Sequence, residues 1–200
     1  MKRAHLIIFI FLAGCFGETH CPSFPIEKLN WMPYQLDSTI QFSDGYDTIK
    51  YTIVDTFRSE SRSYKNNCDC DCGATAYFKT DINSENELKI EGTCNFINNN
   101  FIGYVYNFQK YGYIGEYYMI LKSDDFNLLK ENGTFKNEII SSFRINSKTY
   151  QNVVKLELDT INDGSLNWSK PDIWKVYIAD SIGIIQFEDL NSRKIWKIIE

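Results

Sequence analysis

Six cysteines carry most of the reactive chemistry in this 200-residue chain, and three of them, Cys68, Cys70 and Cys72, alternate with Asn67, Asp69 and Asp71. In an extended strand that spacing places three thiols on one face. Two chemistries compete for them. With Cys94 as a fourth ligand they would make a four-thiolate zinc site, although the usual C-x2-C knuckle is absent. Oxidised, they would make disulfides. The interleaved acids also suggest a calcium loop, but Gly73 falls one position late and Phe78 stands where the bidentate glutamate belongs, so that reading fails. Asp69 and Asp71 read more simply as the solvent side of the cluster.

Catalytic constellations are scarce. The histidines are His5, inside the apolar N-terminal run, and His20, shortly after it. A Ser-His-Asp triad, a Cys-His pair or a histidine metal site in a folded body is excluded on composition. No G-x-S-x-G, glycine-rich phosphate loop or H-E-x-x-H occurs. Carboxylate pairs remain, such as Asp124 with Asp125, or Glu116 among aromatics. Two acids can run a hydrolase, but surface solvation accounts for them more simply. No catalytic residue, metal or cofactor is expected. The remaining feature is aromatic: Ile102, Tyr104, Tyr106 and Phe108 occupy one face of a strand, and Tyr113 and Tyr117 one face of the next. Such a row reads first as a core wall. The sharper reading is a ligand face for a glycan, peptide or acyl chain, because each tyrosine keeps a polar tip that needs a partner.

The N-terminus supplies the compartment. Met1 to Arg3 form a basic n-region, Ala4 to Leu12 an apolar h-region, and small residues follow, the pattern of an export signal. The apolar run falls short of the roughly 20 residues that cross a bilayer. Its last residues, Leu12-Ala13-Gly14-Cys15, resemble the lipobox of bacterial lipoproteins. That resemblance implies a signal peptide over 1–14, cleavage before Cys15, and acylation of its sulfur and freed amine. Two or more acyl chains hold a protein stably to a membrane. The other reading is an ordinary secretory signal that leaves Cys15 a plain thiol. Removing residues 1–14 leaves 19 basic against 26 acidic side chains, a net −7. That charge argues against nucleic acid and anionic lipid surfaces as partners.

Export favours disulfides over thiolate metal sites. Setting Cys15 aside leaves Cys21, Cys68, Cys70, Cys72 and Cys94, an odd number. Leu88, Ile90, Cys94 and Phe96 share one strand face, as do Cys72, Ala74, Ala76 and Phe78. If the Asp81 to Asn86 connection centres near Asn83, Cys72 faces Cys94 at bridging distance. Cys21 would then take Cys68 or Cys70.

The elements that must hold these groups are strands. Phe16 to Asn30 has no periodicity and reads as a tether over 15–30, with Trp31, Met32 and Tyr34 where packing starts and a single β-domain over 31–200. Thr39 to Phe42 and Asp47 to Phe57 flank Ser43-Asp44-Gly45-Tyr46, a tight hairpin. In the second strand Ile49, Tyr51, Ile53 and Phe57 point one way. Strands follow at Ala74 to Lys79, Glu87 to Ile97, Phe101 to Gln109, Tyr113 to Lys122, Ser141 to Ile145, Val153 to Leu158, Trp174 to Ala179, Ile182 to Glu188 and Lys194 to Ile199. Arg58 to Asn67 is a loop or hairpin extension, Ser123 to Lys130 a short helix, and Asp159 to Pro171 a long loop. The fold class is all-β, an antiparallel meander forming a barrel, half-barrel or sandwich with little helix.

The runs Ile145 to Val154 and Tyr177 to Phe187 resemble the C-terminal half of many uncharacterised all-β lipoproteins of Bacteroidota. That resemblance implies an envelope protein and no particular reaction. The absence of an acidic run after Cys15, Glu18 apart, points to the periplasmic face of the outer membrane. The functional expectation is a membrane-anchored, non-enzymatic binding or interaction module with an unknown envelope partner. The alternative is a carrier for an apolar ligand such as a lipid or acyl chain, and the third reading is a carboxylate-based hydrolase.

Overall fold

The structure is a computed structural model that describes residues 26–58, 62–66, 69–81, 88–97, 100–110, 113–119, 135–158, 173–190 and 192–199. After a 3-10 helix, Ile26–Trp31, the strands are β1 Thr39–Ser43, β2 Thr48–Arg58, β3 Arg62–Asn66, β4 Asp69–Thr80, β5 Leu88–Ile97, β6 Asn100–Lys110 and β7 Tyr113–Met119. Then come β8 Phe135–Ile145, β9 Lys148–Leu158, β10 Ile173–Ala179, β11 Gly183–Asp189 and β12 Ile195–Ile199. The all-β antiparallel meander expected from alternation is observed.

Neighbours in the sheet run β7-β6-β5-β4-β2-β1-β12-β11-β10-β9-β8. The two ends of the meander therefore meet in the middle of the sheet, where β1 pairs β12 from Gln41↔Ile199 to Ser43↔Lys197. Among the described residues no pairing joins the outer strands β7 and β8, although the two come near one another. The sheet is thus an open curl and not a closed barrel. Strand β2 belongs to both flanks: Thr48–Thr52 pair β1 and Ile53–Arg58 pair β4, with a bulge between Ile53 and Asp55.

Alternation buries one face of β1, β2, β4, β5 and β6 inside the curl, while β10 and β11 are buried at nearly every position. Ile40, Phe42, Ile49, Tyr51 and Ile53 meet Ala74, Ala76, Phe78, Leu88 and Ile90 there, together with Val154, Val176, Ile178, Phe187 and Trp196 from the far flank. Phe187 spans the interior, with ring centroids 5.0 Å from Phe42, 6.1 Å from Phe108 and 6.3 Å from Trp196. Full burial of such a side chain stabilises by roughly 1.5–3 kcal/mol. That exceeds the ~0.2–1 kcal/mol of a surface ion pair, so the core sets the fold. A smaller cluster of Ile145, Tyr150, Val153, Tyr177, Ala179 and Ile185 packs apart from it. Asn152, in the left-handed region at φ 52°, precedes Val153 of the smaller cluster and Val154 of the main core.

Several expectations need correction. Packing starts inside the stretch read as a tether: Leu29 is in the core, and Asn30 O accepts a 2.7 Å hydrogen bond from the Ser181 N–H. Of the two readings of Arg58 to Asn67, a loop or a hairpin extension, the second is observed, since β3 extends the β2–β4 hairpin through Arg62↔Gly73 to Asn66↔Asp69. The bulge in β2 also reverses its later positions. Thr56 and Arg58, not Phe57, stand opposite the buried Phe78 and Ala76, and Phe57 is 45% exposed beside Tyr77 on the outer face. The expected helix at Ser123 to Lys130 and loop at Asp159 to Pro171 lie outside the described residues.

Candidate functional site

Of the tyrosine row expected as a core wall or a ligand face, Tyr104, Tyr106 and Phe108 are buried in the wall, while the side chains of Tyr113 and Tyr117 lie outside the described ones. Tyr104, Tyr106 and Phe108 are 1%, 0% and 3% exposed. The polar tip of Tyr106 is met by the N-terminal segment, which folds across the interior as a plug. The Tyr106 hydroxyl donates to the Trp31 carbonyl, and the Tyr34 hydroxyl accepts a 2.7 Å hydrogen bond from the Ile184 N–H. Tyr34 also lies against Phe78, centroids 4.2 Å apart, so one side chain ties β4 to β11. Burial pushes the phenols of Tyr34, Tyr104 and Tyr106 upward, so all three stay protonated. Gly183 and Gly92 make room for this arrangement. A Cβ at Gly183 would sit 2.2 Å from the Tyr34 hydroxyl oxygen, and one at Gly92 2.2 Å from Phe78 Cε1. The backbone register sets Tyr117 opposite Tyr106 and Tyr113 opposite Lys110 on the next strand.

The expected Cys72 to Cys94 bridge is overturned by register. Cys94 stands opposite Ala76 on one side and Tyr104 on the other, while Cys72 is opposite Ser63 of β3. Four residues along β4 separate Cys72 from the Ala76 position, roughly 13 Å at strand rise, beyond any disulfide. The face assignment itself holds, since Ala74, Ala76, Phe78, Leu88, Ile90 and Cys94 are all buried. Cys94 is a free thiol in the core, where burial pushes its pKa up to about 12. Cys70 is opposite Lys65 in the β3–β4 hairpin. Cys15, Cys21 and Cys68 lie outside the described residues, as do Asp124 and Asp125, and Glu116 stands opposite Asn107.

Two polar constellations escaped the sequence reading. One is a ladder of cross-strand partners, Glu138↔Lys155, Glu157↔Lys175 and Lys175↔Glu188. Its ion pairs measure 3.3, 3.7 and 3.8 Å, with Lys155 also 2.7 Å from Glu157. The Tyr177 hydroxyl donates to Glu188 at 2.9 Å, and burial together with that hydrogen bond raises its pKa. Each charge here has an opposite neighbour, the arrangement that fixes strand register. The Lys155-Leu156-Glu157 alternation was visible in sequence, but the partners needed the pairing. The other constellation ties the β1–β2 turn to the chain before β12. Asp44 Oδ1 accepts from the Tyr46 and Asp47 N–H groups at 2.9 and 2.7 Å, and Lys194 Nζ lies 3.0 Å from Asp44 Oδ2 and 2.6 Å from Asp47 Oδ2. The Asp47 N–H, then the Tyr46 N–H and Lys194, hold the Asp44 carboxyl down at about 2.

The surface has shallow hollows. One of about 260 Å³ opens beside the plug, between Leu29, Met32 and Tyr34–Leu36 on one side and β2 and β4 on the other. A second, of about 400 Å³, lies between the Ser43–Gly45 turn and the Ile145–Lys148 turn. Among the described residues no helix is long and apolar enough to cross a membrane, and no group of histidine, cysteine and acidic side chains could hold a metal ion. Comparison with family models, with curated proteins and with solved structures finds no match.

Proposed function

We propose that this chain is a lipid-anchored protein of the bacterial cell envelope, held at the periplasmic face of the outer membrane, that works as a non-enzymatic binding or interaction module. The anchor rests on the resemblance of Leu12-Ala13-Gly14-Cys15 to a lipobox. The choice of module over carrier rests on one observation: the tyrosine face that an acyl chain would need is packed and capped by its own N-terminal segment. A protein so filled recognises its partner with its outside. Replacing Cys15 with serine tests the anchor. The parent chain fractionates with membranes and the Cys15→Ser chain with the soluble fraction; equal membrane retention of both defeats the proposal.

A further inference from the structure

The bulge between Ile53 and Asp55 leaves one feature that neither packing nor the proposed interaction role uses. It sets Arg58, an exposed side chain at the end of β2, opposite the buried Ala76. Bulges re-aim side chains and are common beside functional sites. Among the described residues the Arg58 guanidinium makes no ion pair or hydrogen bond. It borders the hollow of about 260 Å³, whose walls include Leu29, Met32, Leu36 and Phe78, with Thr56 and Gln35 as neutral polar groups and, among the described residues, no acidic side chain. In a chain of net charge −5, a hollow that joins an apolar wall to a guanidinium with no acidic partner among the described residues is complementary to an anion with an apolar body. Guanidinium binds carboxylate through two parallel hydrogen bonds.

We propose that this hollow binds a medium-chain monocarboxylate, its carboxylate on Arg58 and its alkyl chain along Leu29, Met32, Leu36 and Phe78. The site lies beside the plug and leaves the tyrosine face closed. It goes beyond the interaction role and holds whether or not Cys15 is acylated. Decanoate titrated calorimetrically into the full chain carrying Cys15→Ser gives saturable binding of one equivalent. Arg58→Gln weakens that binding roughly tenfold, the scale of one charge-assisted contact at a partly exposed rim. Decanol, which keeps the chain and lacks the charge, binds the parent weaker by a similar factor, and acetate does not bind. Leu36→Asp, at a side chain 55% exposed, introduces a like charge and also weakens decanoate. Thermal melts of both variants match the parent, because neither removes a packed or paired group. Absence of saturable decanoate binding, equal affinity in Arg58→Gln, or acetate binding as tightly as decanoate would each overturn the assignment.

Discussion

Gly183→Ala is the perturbation that probes the plug most sharply. Two costs add at that position. The backbone sits at φ +86°, where an L side chain costs about 1–2 kcal/mol. The new Cβ would also lie 2.2 Å from the Tyr34 hydroxyl oxygen and 2.5 Å from its Cζ, so the ring must leave. Its departure breaks the hydrogen bond from the Ile184 N–H and the contact with Phe78, and an unpaired buried donor costs about 1–3 kcal/mol. The total is roughly 2–5 kcal/mol. Tyr34→Leu retains an apolar body but withdraws the atoms that clash. In that background Gly183→Ala should cost only the backbone part, about 1–2 kcal/mol. The double-mutant cycle therefore gives a coupling of about 1–3 kcal/mol, read from urea unfolding followed by tryptophan fluorescence. Additive effects of the two substitutions, or a Gly183→Ala cost below about 1 kcal/mol, would refute the reasoning.

Two further predictions use the shifted protonation equilibria. Asp44 is depressed from an unfolded value near ~3.9 to about 2, so its contribution to stability is complete above pH ~4 and disappears as pH falls through about 2. The urea midpoint of the parent drops more steeply across that window than that of Asp44→Asn; parallel curves would contradict the assignment. Cys94, with its thiol raised to about 12 and its side chain fully buried, resists aromatic disulfide reagents in the folded protein and reacts on unfolding in urea. Mass mapping of the labelled peptide checks this, and rapid native labelling of Cys94 would show that the β5 face is open.

Most of the strand sequence was legible because one-sided burial writes itself as alternation. Tyr104, Tyr106 and Phe108, or Ala74, Ala76 and Phe78, name their face without a partner. Register was another matter. Alternation defines pairing only to within an even number of residues, so a β4–β5 connection centred two positions later kept every face correct and moved Ala76, not Cys72, opposite Cys94. The bulge in β2 reversed Phe57 and Arg58 with no warning from residue type. Strand β3 is polar, and what pairs it is the backbone of a long hairpin, which has no side-chain signature. The plug was half legible. Trp31, Met32 and Tyr34 looked like the start of packing, but their partners Tyr106 and Ile184 lie far along the chain, in strands that only the closing β1–β12 pair brings near.

The central claim is that the tyrosine-lined interior is a sealed core and not a lumen. Native-state hydrogen exchange of the β6 amides from Tyr104 to Phe108 tests it most directly. A sealed core predicts that these amides exchange only through global unfolding, with protection free energies equal to the stability measured in urea. Exchange through a local opening several kcal/mol below that value, with the rest of the sheet still protected, would contradict it and return the tyrosine face to the list of ligand sites.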